Sequence, residues 1–175
     1  MKIDAKVQSI SKLKDYFFLV PDYQREYVWK PDDEVEQFLI DIENEYSPDA
    51  KEQRNYFLGS IIIVNNDRCF DVVDGQQRLT TIMLSLCVFR DLLKKETLNS
   101  AQKNYLQIIE NLLYNFDIES GETRVRLELQ YEESHDYLTA LIQEQPYNGV
   151  RSPSIERMQD LSLIHISEPT RLRCI

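Results

Sequence analysis

The feature that most constrains this chain is the break at Asp74-Gly75, where two kinds of hydrophobic periodicity meet. Before it, Cys69-Phe70-Asp71-Val72-Val73 has the aromatic and β-branched content of a strand. After it, Leu79, Ile82, Met83, Leu86, Phe89 and Leu93 recur at helical spacing and predict a long amphipathic helix reaching about Glu96. Upstream, Tyr56-Phe57-Leu58-Gly59-Ser60-Ile61-Ile62-Ile63-Val64 reads as a strand. Asn65-Asn66-Asp67 then makes a turn that pairs it with residues 69–73 as a hairpin.

The remaining elements follow from the same reasoning. Ile10, Leu13 and Lys14 suggest a short helix, and Tyr16-Phe17-Phe18-Leu19-Val20 is a strand stopped by Pro21, which cannot donate to a ladder. Pro31 opens a helix with Asp32, Asp33 and Glu34 in its first turn, where negative charge suits the dipole. Its inward face is Val35, Phe38, Leu39, Ile42 and Tyr46, and Ser47 to Asn55 is a polar loop. A later helix capped near Asn99 or Ser100 is expected to turn Tyr105, Ile108, Ile109, Leu112 and Phe116 inward. Tyr105, Tyr114 and Tyr137 are read as core residues. Arg124 to Leu129 alternates as one half-buried strand, Asp136 to Glu144 is helical, and another helix begins near Ser154. The expected fold class is α+β: residues 1–96 form the core, and residues 97–160 extend the same domain.

Bulk properties exclude several functions. The chain has 175 residues, enough for one domain with a real core. Residues 1–6 lack the apolar stretch of a secretory signal, and no run reaches membrane-span length, so a cytoplasmic location is expected. Three cysteines without CxxC spacing argue against a disulfide framework or a zinc site. Cys69 and Cys87 read as small core residues. Two histidines far apart, His135 and His165, exclude a His-rich metal centre, and His135 reads as an exposed helix-start residue. A net charge of −10 disfavours a surface that coats DNA, although single arginines can still build a local anion pocket.

Two clusters carry chemistry. Asp74-Gly75-Gln76-Gln77-Arg78 stands at a strand-to-helix junction, where free amides and the helix dipole attract anions. Gly75 permits positive φ and close approach of a ligand, and Arg78 offers a bidentate fork to a phosphate. Asp74 is placed to cap the helix, hold a divalent cation or polarise a water; Gln76 and Gln77 are orienting groups, and Thr80 and Thr81 add hydroxyls. A plain Asp-Gly helix entry with exposed polar residues explains the same pentapeptide. The second cluster is Tyr23-Gln24-Arg25-Glu26-Tyr27-Val28-Trp29, in which stacked arginine would meet a phosphate or base. Its alternative is a satellite aromatic core with Arg25 paired to a carboxylate.

Taken together, Pro21-Asp22-Tyr23-Gln24-Arg25-x-Tyr27-x-Trp29, Tyr56-Phe57-Leu58-Gly59-Ser60 and Val73-Asp74-Gly75-Gln76-Gln77-Arg78-Leu79-Thr80-Thr81 resemble the N-terminal domain of the GmrSD restriction family. The similarity covers most of residues 8–160, including Arg124 to Leu129 and the region from Tyr131 to Tyr137. It implies a ParB/sulfiredoxin-like small mixed sheet with flanking helices that binds and hydrolyses a nucleoside triphosphate with Mg²⁺. In this reading Asp74, Gln77 and Arg78 are catalytic, Asp74 holds the Mg²⁺, and Gln24, Arg25, Gly75, Gln76, Arg78 and Thr80 bind the nucleotide. DNA would be engaged through the intact protein, whose HNH-type nuclease domain has no counterpart in these residues, and homo-oligomerisation stays open. The alternatives are a nucleotide- or DNA-binding switch without turnover, and a ParB-like pocket that nicks DNA. Leu161 to Arg173 (LSLIHISEPTRLR) resembles a translated sequencing adapter. The natural sequence is therefore expected to stop near Asp160, with residues 161–175 a non-native tail lacking regular structure.

Overall fold

A computed structural model describes residues 4–45, 56–116, 118, 121–131 and 134–167, with side chains through Leu161. The expected loop from Ser47 to Asn55 and the inward place of Tyr46 lie outside the described residues. Strand β1 is Phe18–Val20, β2 Ile62–Asn66, β3 Cys69–Asp74 and β6 Leu127–Leu129, in the sheet order β2-β3-β1-β6. β2 and β3 form the antiparallel hairpin, whereas β1 runs parallel to both β3 and β6. Strands β4, Tyr114–Phe116, and β5, Thr123–Val125, make a separate two-stranded ladder. Helices α1 (Glu36–Glu45), α2 (Gln76–Lys94), α3 (Ser100–Leu113), α4 (His135–Ile142) and α5 (Pro153–Ser167) flank the sheets, so the molecule is a mixed α+β fold.

One hydrophobic core joins Phe18 and Val20 of β1, Val72 of β3, Leu79, Met83, Leu84 and Cys87 of α2, Leu127 and Leu129 of β6, and Leu138 and Ile142 of α4. It is completed by Ile155, Met158 and Leu161 of α5. The expected inward residues of the long helix fit this core, since Leu79 and Met83 are wholly buried. Arg90 is buried on the same helix and donates to the carbonyls of Ile142 (2.6 Å) and Leu141 (3.0 Å), satisfying the end of α4, while Asp91 sits at 2.8 Å as its counter-charge.

The structure departs from the sequence reading in five places. The strand expected over residues 56–64 begins only at Ile62, because Gly59 takes φ +106° and bends residues 56–61 across the start of α2. The turn moves one step on, with Asn65 and Asn66 inside β2 and Asp67 left-handed at φ 39°. Arg124 to Leu129 is two strands rather than one: the Arg126 amide bonds the Leu113 carbonyl and its own carbonyl accepts from Phe18, so the backbone changes sheets there. Of the expected inward face of α3, Ile109 and Leu112 pack on the core together with Leu113, whereas Tyr105 and Ile108 point outward and Phe116 lies exposed in β4. Tyr114 is half-buried against the core, and Tyr137 is buried. Finally, α5 continues as helix through Ser167, with Leu161 wholly buried, so regular structure does not stop at Asp160.

Candidate functional site

Asp74 is the last residue of β3 and is exposed, and α2 begins two residues later. Gly75 sits between them at φ 86°, ψ 11°, in the left-handed region that favours glycine. A Cβ there would lie 2.8 Å from the Ser60 carbonyl oxygen and 3.1 Å from Ile61 Cα, so glycine is required by conformation and by the backbone crossing above it. No side chain caps α2. The Leu79 amide bonds the Gly75 carbonyl, and the amides of Gln76, Gln77 and Arg78 find no acceptor among the described residues. A 19-residue helix thus presents uncapped N–H groups and its positive end beside Asp74.

Arg78 is half-buried and donates to the Ser60 carbonyl at 3.1 Å. Its guanidinium lies flat against Gly59, where a Cβ would come within 2.6 Å of Arg78 Cζ. No carboxylate of the described residues forms an ion pair with it; its charge lies near the Tyr56 phenol, which Asp41 and Glu45 also reach. Leu58-Gly59-Ser60 and Asp74-Gly75-Gln76-Gln77-Arg78 are therefore one physical unit: the first segment crosses the second, and a glycine at each contact lets it.

The aromatic cluster converges on the same helix start. Gln24 Nε2 donates to the Val73 carbonyl (3.1 Å), Gln76 Nε2 to the Arg25 carbonyl (3.3 Å) and Gln77 Nε2 to the Glu26 carbonyl (2.9 Å). Gln77 Oε1 accepts from the Val28 amide at 2.8 Å, and the Tyr27 hydroxyl shares a 2.8 Å hydrogen bond with Thr81 Oγ1. Burial pushes the Tyr27 phenol far above its ordinary range. Trp29 packs against Phe38. Arg25 projects an exposed side chain that pairs with no carboxylate among the described residues.

These contacts reassign several residues. Gln77 is buried with both ends of its amide engaged by residues 26–28; it braces that loop instead of facing a water. Thr80 is 1% exposed, which removes its hydroxyl from the surface that a ligand would touch. Gln76 is buried, and its Oε1 is without a partner. Asp74, Gly75 and Arg78 remain at the turn, joined by the Gln24 side chain and the Arg25 backbone; the Arg25 side chain is exposed, with its charge near the Tyr131 phenol. For Mg²⁺, Asp74 supplies one carboxylate, which suits an ion held chiefly by phosphates and waters. The described residues contain no cluster of three or more acidic, His or Cys side chains to hold a metal by themselves.

The fold and this turn define a class: a mixed α+β module with an uncapped helix start and a glycine crossing at a strand end, beside an arginine that has no carboxylate partner among the described residues. The family model for the GmrSD restriction endonuclease N-terminal domain matches residues 7–170, and the chain belongs to that family. It is thus a module of a restriction-type defence protein. No curated protein matches the chain. Among the described residues no helix is long and apolar enough to cross a membrane.

Proposed function

We propose that the turn from Asp74 to Arg78 binds the phosphates of a nucleoside triphosphate, and that the module hydrolyses it with Mg²⁺ to drive DNA restriction by the intact protein. The observation carrying this reading is an Arg78 charge beside three amides at the start of α2, the first without a carboxylate partner and the others without an acceptor among the described residues. Phosphate oxygens match both donor sets, and charge-assisted bonds are about twice as strong as neutral ones. Arg25, carried on the loop braced by Gln76 and Gln77, would supply a second cation to the phosphates. Mg²⁺ on Asp74 would add charge neutralisation when bound. The ParB/sulfiredoxin-like assignment, the cytoplasmic location and the HNH-type nuclease partner belong to this proposal.

Engagement of Gln77 by the loop favours a second reading, nucleotide binding without turnover, because Asp74 is then the remaining candidate at the turn for orienting a water. Titration of nucleotides separates binding from none, and phosphate release under the same conditions separates hydrolysis from a switch. A protein that binds nucleotide normally after Arg78→Ala would contradict both readings of the turn.

A further inference from the structure

Two arginines of the described residues are buried, and they are treated very differently. Arg90 has Asp91 at 2.8 Å and two carbonyl acceptors. Arg126, 8% exposed, has one long bond to the Asn111 carbonyl at 3.4 Å and no carboxylate of the described residues in ion-pair contact. Its neighbour is another cation: Arg124 Cζ lies 4.0 Å and Arg126 Cζ 4.4 Å from the centroid of the same Phe17 ring. Arg124 reaches the Arg68 backbone carbonyl at 3.0 Å, which brings the chain at Arg68 to the group. Asp15 acts on Arg126 only at longer range, and its carboxylate is held by Lys12 at 3.3 Å. Asp71 and Glu128 lie in the neighbourhood of Cys69 and Arg124.

A buried charge without a counter-ion is costly, and a second like charge beside it adds to the cost. The Phe17 ring fixes both guanidinium planes and offsets part of this repulsion, but it does not neutralise them. In a chain of net charge −10, two cations kept together without a contacting carboxylate among the described residues point to an anion from outside. The place is distinct from the turn at Asp74. Phe18 pairs with Phe70 and Leu127, so Phe17, Arg68 and Arg126 mark the entry ends of β1, β3 and β6, while Asp74 closes the exit end of β3. Six residues of strand put about 17 Å between the two ends.

We infer that Arg124 and Arg126, aligned on Phe17, form a second oxyanion site for a phosphate group, carried either by a nucleic-acid backbone or by free phosphate. The test measures binding of inorganic phosphate and of a short labelled DNA duplex to the wild-type chain, Arg124→Ala, Arg78→Ala and the double variant. Arg124→Ala should weaken the bound probe at least about tenfold, both alone and in an Arg78→Ala background in which the turn no longer contributes a phosphate contact. If the duplex is the source, its salt slope should also fall by about one in Arg124→Ala; phosphate bound without the duplex assigns the site to the free anion. A second variant, Arg126→Met, should unfold no earlier than wild type in phosphate-free buffer and should lose the phosphate-dependent rise in midpoint. Absence of binding by either probe, wild-type affinity in Arg124→Ala, or an equal loss of midpoint in both buffers for Arg126→Met overturns the inference.

Discussion

Gly75 and Gln77 show how single residues make the site. Gly75→Ala places a side chain at φ 86° and at 2.8 Å from the Ser60 carbonyl, so both strain and overlap act. The left-handed backbone alone costs about 1–2 kcal/mol, and urea unfolding should show at least that loss; an unchanged midpoint would mean that residues 60–61 do not cross there. Gln77→Ala removes two hydrogen bonds and strands the Glu26 carbonyl and Val28 amide, a loss of about 1–3 kcal/mol. Released from this brace, Trp29 should report a changed fluorescence even in the folded variant, and unaltered fluorescence and stability would count against the bracing role. The pentapeptide's polar residues were visible in sequence, but the division of labour among them was not. Gln77 and Arg78 are adjacent and equally polar, yet helix geometry turns one amide inward to the 26–28 backbone and leaves the other side chain beside the crossing segment. Only the three-dimensional path of residues 26–28 and 59–61 separates the brace from the free charge.

At the scale of elements, patterns read well where one face alone is buried and poorly where tertiary pairing decides. The β3–α2 junction and the start of α3 at Asn99 were legible because turn chemistry and caps are local; Asn99 indeed closes a reciprocal capping box with Gln102. The split at Arg126 was not, since strict alternation continues through it while its backbone bonds shift from Leu113 to Phe18. The stripe of α3 was read rightly at Ile109 and Leu112 and wrongly at Tyr105 and Ile108, because adjacent apolar rows share the helix and only packing chooses between them. α5 has a direct test: Leu161 is wholly buried, so Leu161→Ala should cost about 2–5 kcal/mol in equilibrium unfolding. A cost well below 1 kcal/mol would place the end of the packed helix before it.

For the whole molecule, alkaline pH is the expected weakness. Burial raises the Cys87 thiol to about 12 and pushes the Tyr27 and Tyr131 phenols well above their ordinary range. The unfolded chain therefore releases these protons first, and stability present below about pH 9 should decline as pH rises towards 12. Cys87→Ala should flatten the first part of that decline, whereas a midpoint constant from pH 9 to 11 would contradict these burials. Fold class and the convergence of two distant motifs could be read from the chain, because a strand-to-helix break and a glycine crossing leave residue signatures; the cation pair at the other sheet edge could not, since residues 17, 68, 124 and 126 come together only through the parallel register. The central claim remains that Arg78 is held ready for a phosphate and is not a structural ion pair. Its most direct test measures nucleotide affinity and unfolding midpoint on the same Arg78→Ala protein, once wild-type binding has been recorded. The account predicts a loss of about 1.5–3 kcal/mol in binding, roughly ten- to hundredfold, with the midpoint nearly unchanged and only partial recovery in Arg78→Lys. Wild-type affinity in a folded Arg78→Ala protein, or a fall in stability that by itself explains lost binding, would contradict it.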